Sequence, residues 1–98
     1  MEVIFASEEL QRLAAEKRYM ARLPTAVVRA YRKRLQAIWA ANDERDLGAV
    51  RGNRFEKMKG SRSHQYSLRL NDQYRLIVEL VRAASRTKIR LVAIEDYH

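Results

Sequence analysis

The chain has 98 residues with 20 Lys+Arg, 12 Asp+Glu, two histidines and no cysteine, and its formal net charge is +8. This length supports a single hydrophobic core, so we expect one domain over residues 1–98. The lack of cysteine excludes disulfides and thiolate chemistry, and two histidines are too few for a zinc site, so we expect no metal or other cofactor. With no run of about 18 apolar residues and no charged-then-apolar leader, we expect a soluble, cytoplasmic protein without a membrane partner.

The surplus of positive charge, with a sequence pI near 10.3, favours a polyanionic partner because each neutralised phosphate releases counterions. Nucleic acid is the leading class of partner. A membrane surface is a weaker alternative, since it would need a basic amphipathic helix with large lipid-facing residues. Charge alone does not distinguish RNA from DNA.

The first half of the chain predicts a strand and two helices. Residues 3–5 are apolar, and Ser7 is a suitable N-cap for a helix that we expect to continue to about Arg18 or Ala21. Pro24 is acceptable in the first turn of a second helix. The apolar residues of that helix recur every three to four positions and are expected to pack on a sheet: Val27 or Val28, Tyr31, Leu35, Ile38 and Trp39.

Basic residues are concentrated in two stretches. The second helix has four, which form either a phosphate-binding face or, as we favour for any single residue, a solvated surface: Arg29, Arg32, Lys33 and Arg34. After a polar connection over residues 42–52, with one short helical turn around residues 44–47, residues 51–64 are the most basic segment. We expect Phe55 and Met58 to anchor this segment, Gly60 to form a tight turn, and His64 to be a surface residue.

Residues 65–81 alternate apolar and polar side chains on both sides of a polar turn, which predicts a β-hairpin. The two apolar sets share one face only if paired residue numbers add to an even total. This condition places Leu70 opposite Tyr74 across a three-residue loop, and Arg69 opposite Arg75. Two facing arginines repel each other, so either a bound phosphate lies between them or both extend into water.

A last strand is predicted over residues 88–94. Its apolar residues fall on two faces, with Ile89, Leu91 and Ala93 on one and Val92 and Ile94 on the other. The tail Glu95-Asp96-Tyr97-His98 follows. It either directs the Tyr97 and His98 side chains at a neighbouring site or is a frayed end.

Three pieces of the sequence, in this order and spacing, resemble HigB-type toxins of the RelE superfamily. They are Phe55-Glu56-Lys57-Met58-Lys59-Gly60, then a Ser-x-Arg-x-Asn-x-x-x-Arg pattern over residues 67–75, and the terminal Asp-Tyr-His. The resemblance covers nearly the whole chain. It implies an α+β, RelE-like fold in which an N-terminal strand and two helices pack on a mainly antiparallel sheet of four to five strands.

The resemblance also implies a function and partners. The function is that of a type II toxin–antitoxin toxin, a ribosome-dependent endoribonuclease that cuts mRNA in the A site of the 30S subunit and thereby inhibits translation. Its partners are mRNA, rRNA and a helix-turn-helix antitoxin of the HigA type, with operator DNA reached only through that antitoxin.

Carried over by position, Arg75, Lys59, Tyr97 and His98 match the family's catalytic residues, and Arg69 matches the arginine of the first hairpin strand. At Glu56, relatives with a His-Pro-Leu-Lys-Gly stretch have a histidine instead. Three further basic residues are candidates, with Arg69, for binding RNA phosphates: Arg54, Lys57 and Arg62.

Cleavage of RNA without a metal needs a base, a stabiliser of phosphorane charge and an acid. Arg75 and Lys59 suit the charge. His98, whose reference pKa is about 6.5, suits the acid, and Glu56, whose reference pKa is about 4.3, is the candidate base. Tyr97 would stack on a base or orient the phosphate.

Two other functions fit the same residues. One is a non-catalytic RNA-binding or antitoxin-binding regulatory module, which the departure at Glu56 favours. The other is a structural interaction protein with no affinity for nucleic acid, which the net charge of +8 disfavours.

Overall fold

A computed structural model describes residues 1–97, in which helices pack on one face of a β-sheet. The helices are α1 (Glu8–Ala15), α2 (Thr25–Ala40) and α3 (Glu44–Ala49), and the strands are β1 (Val3–Phe5), β2 (Glu56–Lys57), β3 (Gln65–Arg69), β4 (Tyr74–Arg82) and β5 (Thr87–Asp96). Within these residues the sheet has the order β1-β5-β4-β3-β2. β1 is parallel to β5, and the other neighbours are antiparallel. The predicted α+β architecture is therefore confirmed.

Helix α2 supplies the centre of the core. Five of its residues are buried: Val27, Val28, Tyr31, Leu35 and Ile38. The Tyr31 hydroxyl donates a hydrogen bond of 2.8 Å to the Leu10 carbonyl, which satisfies this polar group inside the core. The prediction that Trp39 faces inward is wrong, because this residue lies at the edge of the buried stripe in the last turn of α2 and is 46% exposed.

Helix α1 ends at Ala15, so the predicted end at about Arg18 or Ala21 is wrong. The cause is the side chain of Arg32 on α2. It donates hydrogen bonds to three backbone carbonyls, those of Leu13 (2.9 Å), Glu16 (2.9 Å) and Tyr19 (3.2 Å). In a continuing helix, these carbonyls would accept hydrogen bonds from backbone amides, and Arg32 supplies the bonds instead. The backbone of Glu16 is extended. No helix in residues 1–97 has the length and apolar composition needed to span a membrane.

The β3–β4 hairpin has the predicted register, with Arg69 directly opposite Arg75. The loop is set by Asn71, whose side-chain oxygen accepts hydrogen bonds from the amides of Gln73 (2.9 Å) and Tyr74 (2.7 Å). Such local bonds are the usual reason for asparagine in turns. The parity of the apolar residues therefore fixes which side chains face the core and which face the opposite side.

Strand β5 contains one extra residue, Val92, relative to β4. The pairs on either side of it are Ile77 with Ala93 and Val78 with Leu91. Such a β-bulge reverses the alternation of side chains along the strand. The prediction that Ala93 shares a face with Ile89 and Leu91 is therefore wrong. Ile94 lies on the buried face instead, opposite Leu76. The strand also continues to Asp96 rather than ending at Ile94, because β4 begins early enough to pair with it.

Candidate active site

A cavity of about 530 Å³ lies on the sheet face that the helices do not cover. Strict alternation places Glu56, Ser67 and Arg75 on this face, while Leu68 and Leu76 face the helices. The cavity is lined by eight residues: Arg54, Glu56, Lys57, Met58, Lys59, Ser67, Arg75 and Tyr97. Four of these eight are cations, so the cavity suits a negatively charged ligand.

Arg75 is the residue with the most unusual surroundings in this cavity. Its Nη1 atom is buried and has no hydrogen-bond partner within residues 1–97. Its Cζ atom lies 5.3 Å from the centre of the Tyr97 ring, a cation–π contact that holds the guanidinium from one side. A buried donor without a partner costs free energy, so a ligand oxygen that accepted this bond would gain more than it would at an exposed donor.

The segment over residues 54–59 is attached to the sheet by an aromatic contact. The Phe55 ring stacks on the Tyr66 ring with 4.9 Å between centroids and 5° between planes. Arg54 has a left-handed backbone, with φ of 42°, and Gly60 has φ of 65°, so both ends of the segment turn sharply. Gly60 thus adopts the turn that its sequence position predicted. Between these turns, Lys57 and Lys59 are exposed at the cavity.

Glu56, the candidate base, lies opposite Ser67 in the β2–β3 pair, and its side chain is exposed. Two lining residues were not predicted as part of a site. Ser67 is buried on the polar face of β3, and the sequence predicts only an anchoring role for Met58. The alternation of β3 already placed Ser67 on the same face as Arg69, which was the available signal.

Two of the predicted phosphate-binding residues lie outside the lining of the cavity. Arg69 forms an ion pair with Asp72 in the hairpin loop, which offsets its repulsion from Arg75. Arg62 binds both carboxylate oxygens of Glu95, at 3.0 and 2.8 Å. Each of these arginines therefore has a carboxylate partner within the protein.

Of the two C-terminal candidates, Tyr97 and His98, the structure describes Tyr97. Tyr97 is 44% exposed at the cavity, and its amide donates to the carbonyl of Gln73, which fixes the end of β5 next to the hairpin loop. His98 lies outside the described residues. His64 is on the surface, 64% exposed, with its Nε2 atom 3.6 Å from Glu79, and it is not part of the cavity lining.

Comparisons with known proteins agree with this architecture. Residues 3–91 match the HigB-like toxin family, described as a RelE-like toxin of the type II toxin–antitoxin system HigB. Toxin HigB-1 of Vibrio cholerae is 39% identical over 59 residues, which cover 60% of this chain and 62% of that relative. The matched stretch is therefore less than two thirds of the relative's length.

Two solved structures share the fold. The YoeB/ParE toxin from Agrobacterium tumefaciens superposes with a TM-score of 0.66 at 10% identity over 100% of both chains. The YoeB-YefM complex from Staphylococcus aureus gives a TM-score of 0.60 at 17% identity over 100% of this chain and 97% of that chain.

The fold is thus that of the YoeB/ParE toxins. The chain belongs to the HigB-like family, the RelE-like toxins of type II toxin–antitoxin systems. The family resemblance inferred from the sequence is confirmed.

Proposed function

We propose that this toxin is an endoribonuclease that cuts mRNA in the ribosomal A site by attack of a 2′-hydroxyl, without a metal ion. One observation carries the proposal: Arg75, whose buried Nη1 atom has no partner within residues 1–97, lines a cavity together with three further cations, Arg54, Lys57 and Lys59. A concentration of cations around an unsatisfied buried donor is the arrangement that stabilises charge developing on a phosphate.

Arg75 and Lys59 act on the scissile phosphate. As the 2′-oxygen attacks phosphorus, negative charge builds on the non-bridging oxygens, and a guanidinium can donate to two oxygens at once. Arg54 and Lys57, which line the same cavity, bind the phosphates on either side of the cut. Tyr97 stacks on a neighbouring base, since its exposed ring already contacts Arg75 from one face.

The proton transfers are assigned to Glu56 and His98. Glu56 accepts the proton of the 2′-hydroxyl as the new P–O bond forms. His98 donates a proton to the 5′-oxygen as the old P–O bond breaks, which leaves a 2′,3′-cyclic phosphate and a free 5′-hydroxyl. The cyclic phosphate keeps one negative charge, Glu56 gains one proton while His98 loses one, and the charges of the arginine and the lysine do not change.

We further propose that a cognate antitoxin of the HigA type neutralises this toxin. The Staphylococcus aureus structure is a complex of YoeB with YefM, so a chain of this fold binds a protein partner there. Contact with operator DNA would then pass through the antitoxin.

A specific observation favours the second candidate, a non-catalytic RNA-binding module. Glu56 stands where relatives have a histidine, and its side chain is exposed beside basic residues. Such neighbours favour a role for Glu56 in balancing the charge of the cations rather than in accepting a proton. The cavity would then bind phosphates without cutting the chain.

The deciding experiment is cleavage of a translated mRNA on purified ribosomes, with the 5′ ends mapped. The intact protein is compared with Arg75→Ala and with a form lacking residues 97–98. Arg29→Ala is the matched control, because Arg29 is an exposed cation on α2 and does not line the cavity. The proposal expects cuts in register with codons from the intact protein and from Arg29→Ala, and at least about 100-fold less cutting from Arg75→Ala.

The opposite pattern would replace the nuclease with the RNA-binding module. It consists of no cuts by the intact protein together with salt-sensitive RNA binding that Arg75→Ala weakens by about one phosphate contact.

A further inference from the structure

Glu95 is the nearest cross-strand carboxylate to the candidate catalytic arginine. It lies directly opposite Arg75 in the β4–β5 pair, and both residues are on the face of the sheet that forms the cavity. Oppositely charged side chains at such positions are close enough to form an ion pair. A pair between these two residues would satisfy Arg75 internally and compete with a phosphate for its guanidinium.

The Glu95 carboxylate is held by a different residue. Arg62, in the turn after the lysine-rich segment, donates from Nη1 to Oε1 at 3.0 Å and from Nη2 to Oε2 at 2.8 Å. Both carboxylate oxygens are thus bound in the two-pronged geometry that guanidinium groups favour. Within residues 1–97, Arg75 Nη1 is left without a partner although Glu95 is its neighbour.

Arg62 is itself oriented by the sheet. Its Nε atom donates to Gln65 Oε1 at 3.0 Å, so all three of its side-chain nitrogens are engaged. Gln65 in turn donates to Glu79 at 3.0 Å, and Glu79 also accepts a hydrogen bond from Arg90 at 3.0 Å. The chain of bonds links β3, β4 and β5 on the cavity side and fixes the direction in which Arg62 points.

We propose that Arg62 is a positioning residue that keeps the Glu95 carboxylate away from Arg75, so that Arg75 remains available to an RNA phosphate. The inference rests on the proposed phosphate-binding role of the cavity. It assigns Arg62 a role different from direct phosphate contact, which its position in the basic segment had suggested.

The test is a set of binding measurements with an RNA that cannot be cut. The probe is a fluorescein-labelled ten-nucleotide 2′-O-methyl RNA, titrated at fixed ionic strength and followed by fluorescence anisotropy. Arg62→Ala frees Glu95 to pair with Arg75, and we expect about fivefold weaker RNA binding, the upper size of one exposed ion pair in competition. Glu95→Gln removes the competing charge, so the double variant Arg62→Ala/Glu95→Gln recovers the affinity of the intact protein.

Two further variants separate positioning from charge. Lys88→Ala is the matched control, because it removes the same charge from the same sheet face and breaks an ion pair with Glu2 that lies outside the bonds that orient Arg62. We expect it to weaken binding at most about twofold. Arg62→Lys keeps the charge but loses the two-pronged geometry, and it weakens binding nearly as much as Arg62→Ala.

The inference is overturned if the double variant stays as weak as Arg62→Ala, since Arg62 would then contact the RNA or hold the fold directly. It is equally overturned if Arg62→Lys binds as tightly as the intact protein, or if Arg75→Ala does. Thermal unfolding of each variant verifies that it is folded at the assay temperature. Because the readout is binding, an intact protein that binds in this pattern but never cuts mRNA would end the nuclease proposal and leave this inference standing.

Discussion

The helical layer and the cavity use arginine in opposite ways. On α2, Arg32 is bound to three backbone carbonyls, and Arg34 donates to the carbonyls of Arg69 (2.9 Å) and Gly52 (3.3 Å). At the cavity, Arg75 has a buried nitrogen with no partner in the described part of the chain. The first two side chains connect one element to another. The third leaves a buried donor unsatisfied within residues 1–97.

The difference is one of free energy as well as of contacts. A hydrogen bond from a charged group to a carbonyl contributes about 1.5–3 kcal/mol to stability, whereas a buried donor left unsatisfied costs about 1–3 kcal/mol. We therefore expect Arg32 to stabilise the folded protein and Arg75 to destabilise it slightly. Functional sites commonly lower stability in this way.

The largest effect is expected on catalysis at Arg75. Arg75→Ala lowers single-turnover cleavage on ribosomes at least about 100-fold, or about 2.7 kcal/mol, because the charge of the transition state is no longer stabilised. Arg75→Lys keeps the charge but loses the donation to two oxygens, so it falls between the intact protein and Arg75→Ala. Equal rates for the intact protein and Arg75→Lys would contradict the role of guanidinium geometry.

The next effect is on stability in the helical layer. Arg32→Gln lowers the free energy of unfolding by about 2 kcal/mol, since carbonyls at the end of α1 lose a charged donor. Urea denaturation measures the change. Lys33→Gln is the control: Lys33 is exposed on the same helix, and its replacement changes stability by less than about 0.5 kcal/mol. If the two variants unfold alike, Arg32 is not a structural residue.

At the cavity, we expect the loss of an arginine to raise the free energy of unfolding rather than lower it. Arg75→Met raises the free energy of unfolding by about 1 kcal/mol while cleavage is lost, because an apolar side chain leaves no buried donor unsatisfied. The same urea titration measures it. A variant that is less stable than the intact protein would show that Arg75 contributes to holding the sheet together.

An effect of similar size concerns a neutral donor in the helical layer. Tyr31→Phe removes the hydroxyl that donates to Leu10 and lowers stability by about 1 kcal/mol at neutral pH. Burial raises the pKa of Tyr31 above its ordinary value. The unfolded chain therefore loses this proton near pH 10 while the folded chain retains it, and the stability of the intact protein falls as the pH rises further.

The phenylalanine variant lacks this loss, so the stability difference between the two proteins closes at about pH 11. Urea titrations at pH 7, 10 and 11 on both proteins measure the difference. A gap that stays constant over this range would show that Tyr31 ionises as readily when folded as when unfolded.

The sequence predicts features that depend on neighbours in the chain. The register of the hairpin, with Arg69 opposite Arg75, follows from the parity of apolar residues on two adjacent strands. The end of α1 does not follow in this way, because it is set by Arg32, which is 19 residues away from Leu13 along the chain. The bulge at Val92 is also invisible locally, since apolar residues on both faces are compatible with either phase of the strand.

The candidate site also combines features that the sequence predicts with features that depend on residues distant in the chain. The basic residues of the segment over residues 54–59, with Arg75 and Tyr97, meet at one cavity, and all of them carry sequence signals. Arg62 and Arg69 also carry such signals. They bind Glu95 and Asp72 instead, and only the three-dimensional structure shows which cations have a carboxylate within reach.

The extra residue in β5 has a consequence for how length varies among relatives. The pairs on both sides of Val92 are consecutive on β4, so a chain without this residue would keep Glu95 opposite Arg75. Removal of Ala93 or Ile94 would instead shift Glu95 out of that position. A one-residue gap in an alignment of the last strand therefore belongs at Val92, and a relative with such a gap would keep the positions of Glu95 and Arg75 opposite each other.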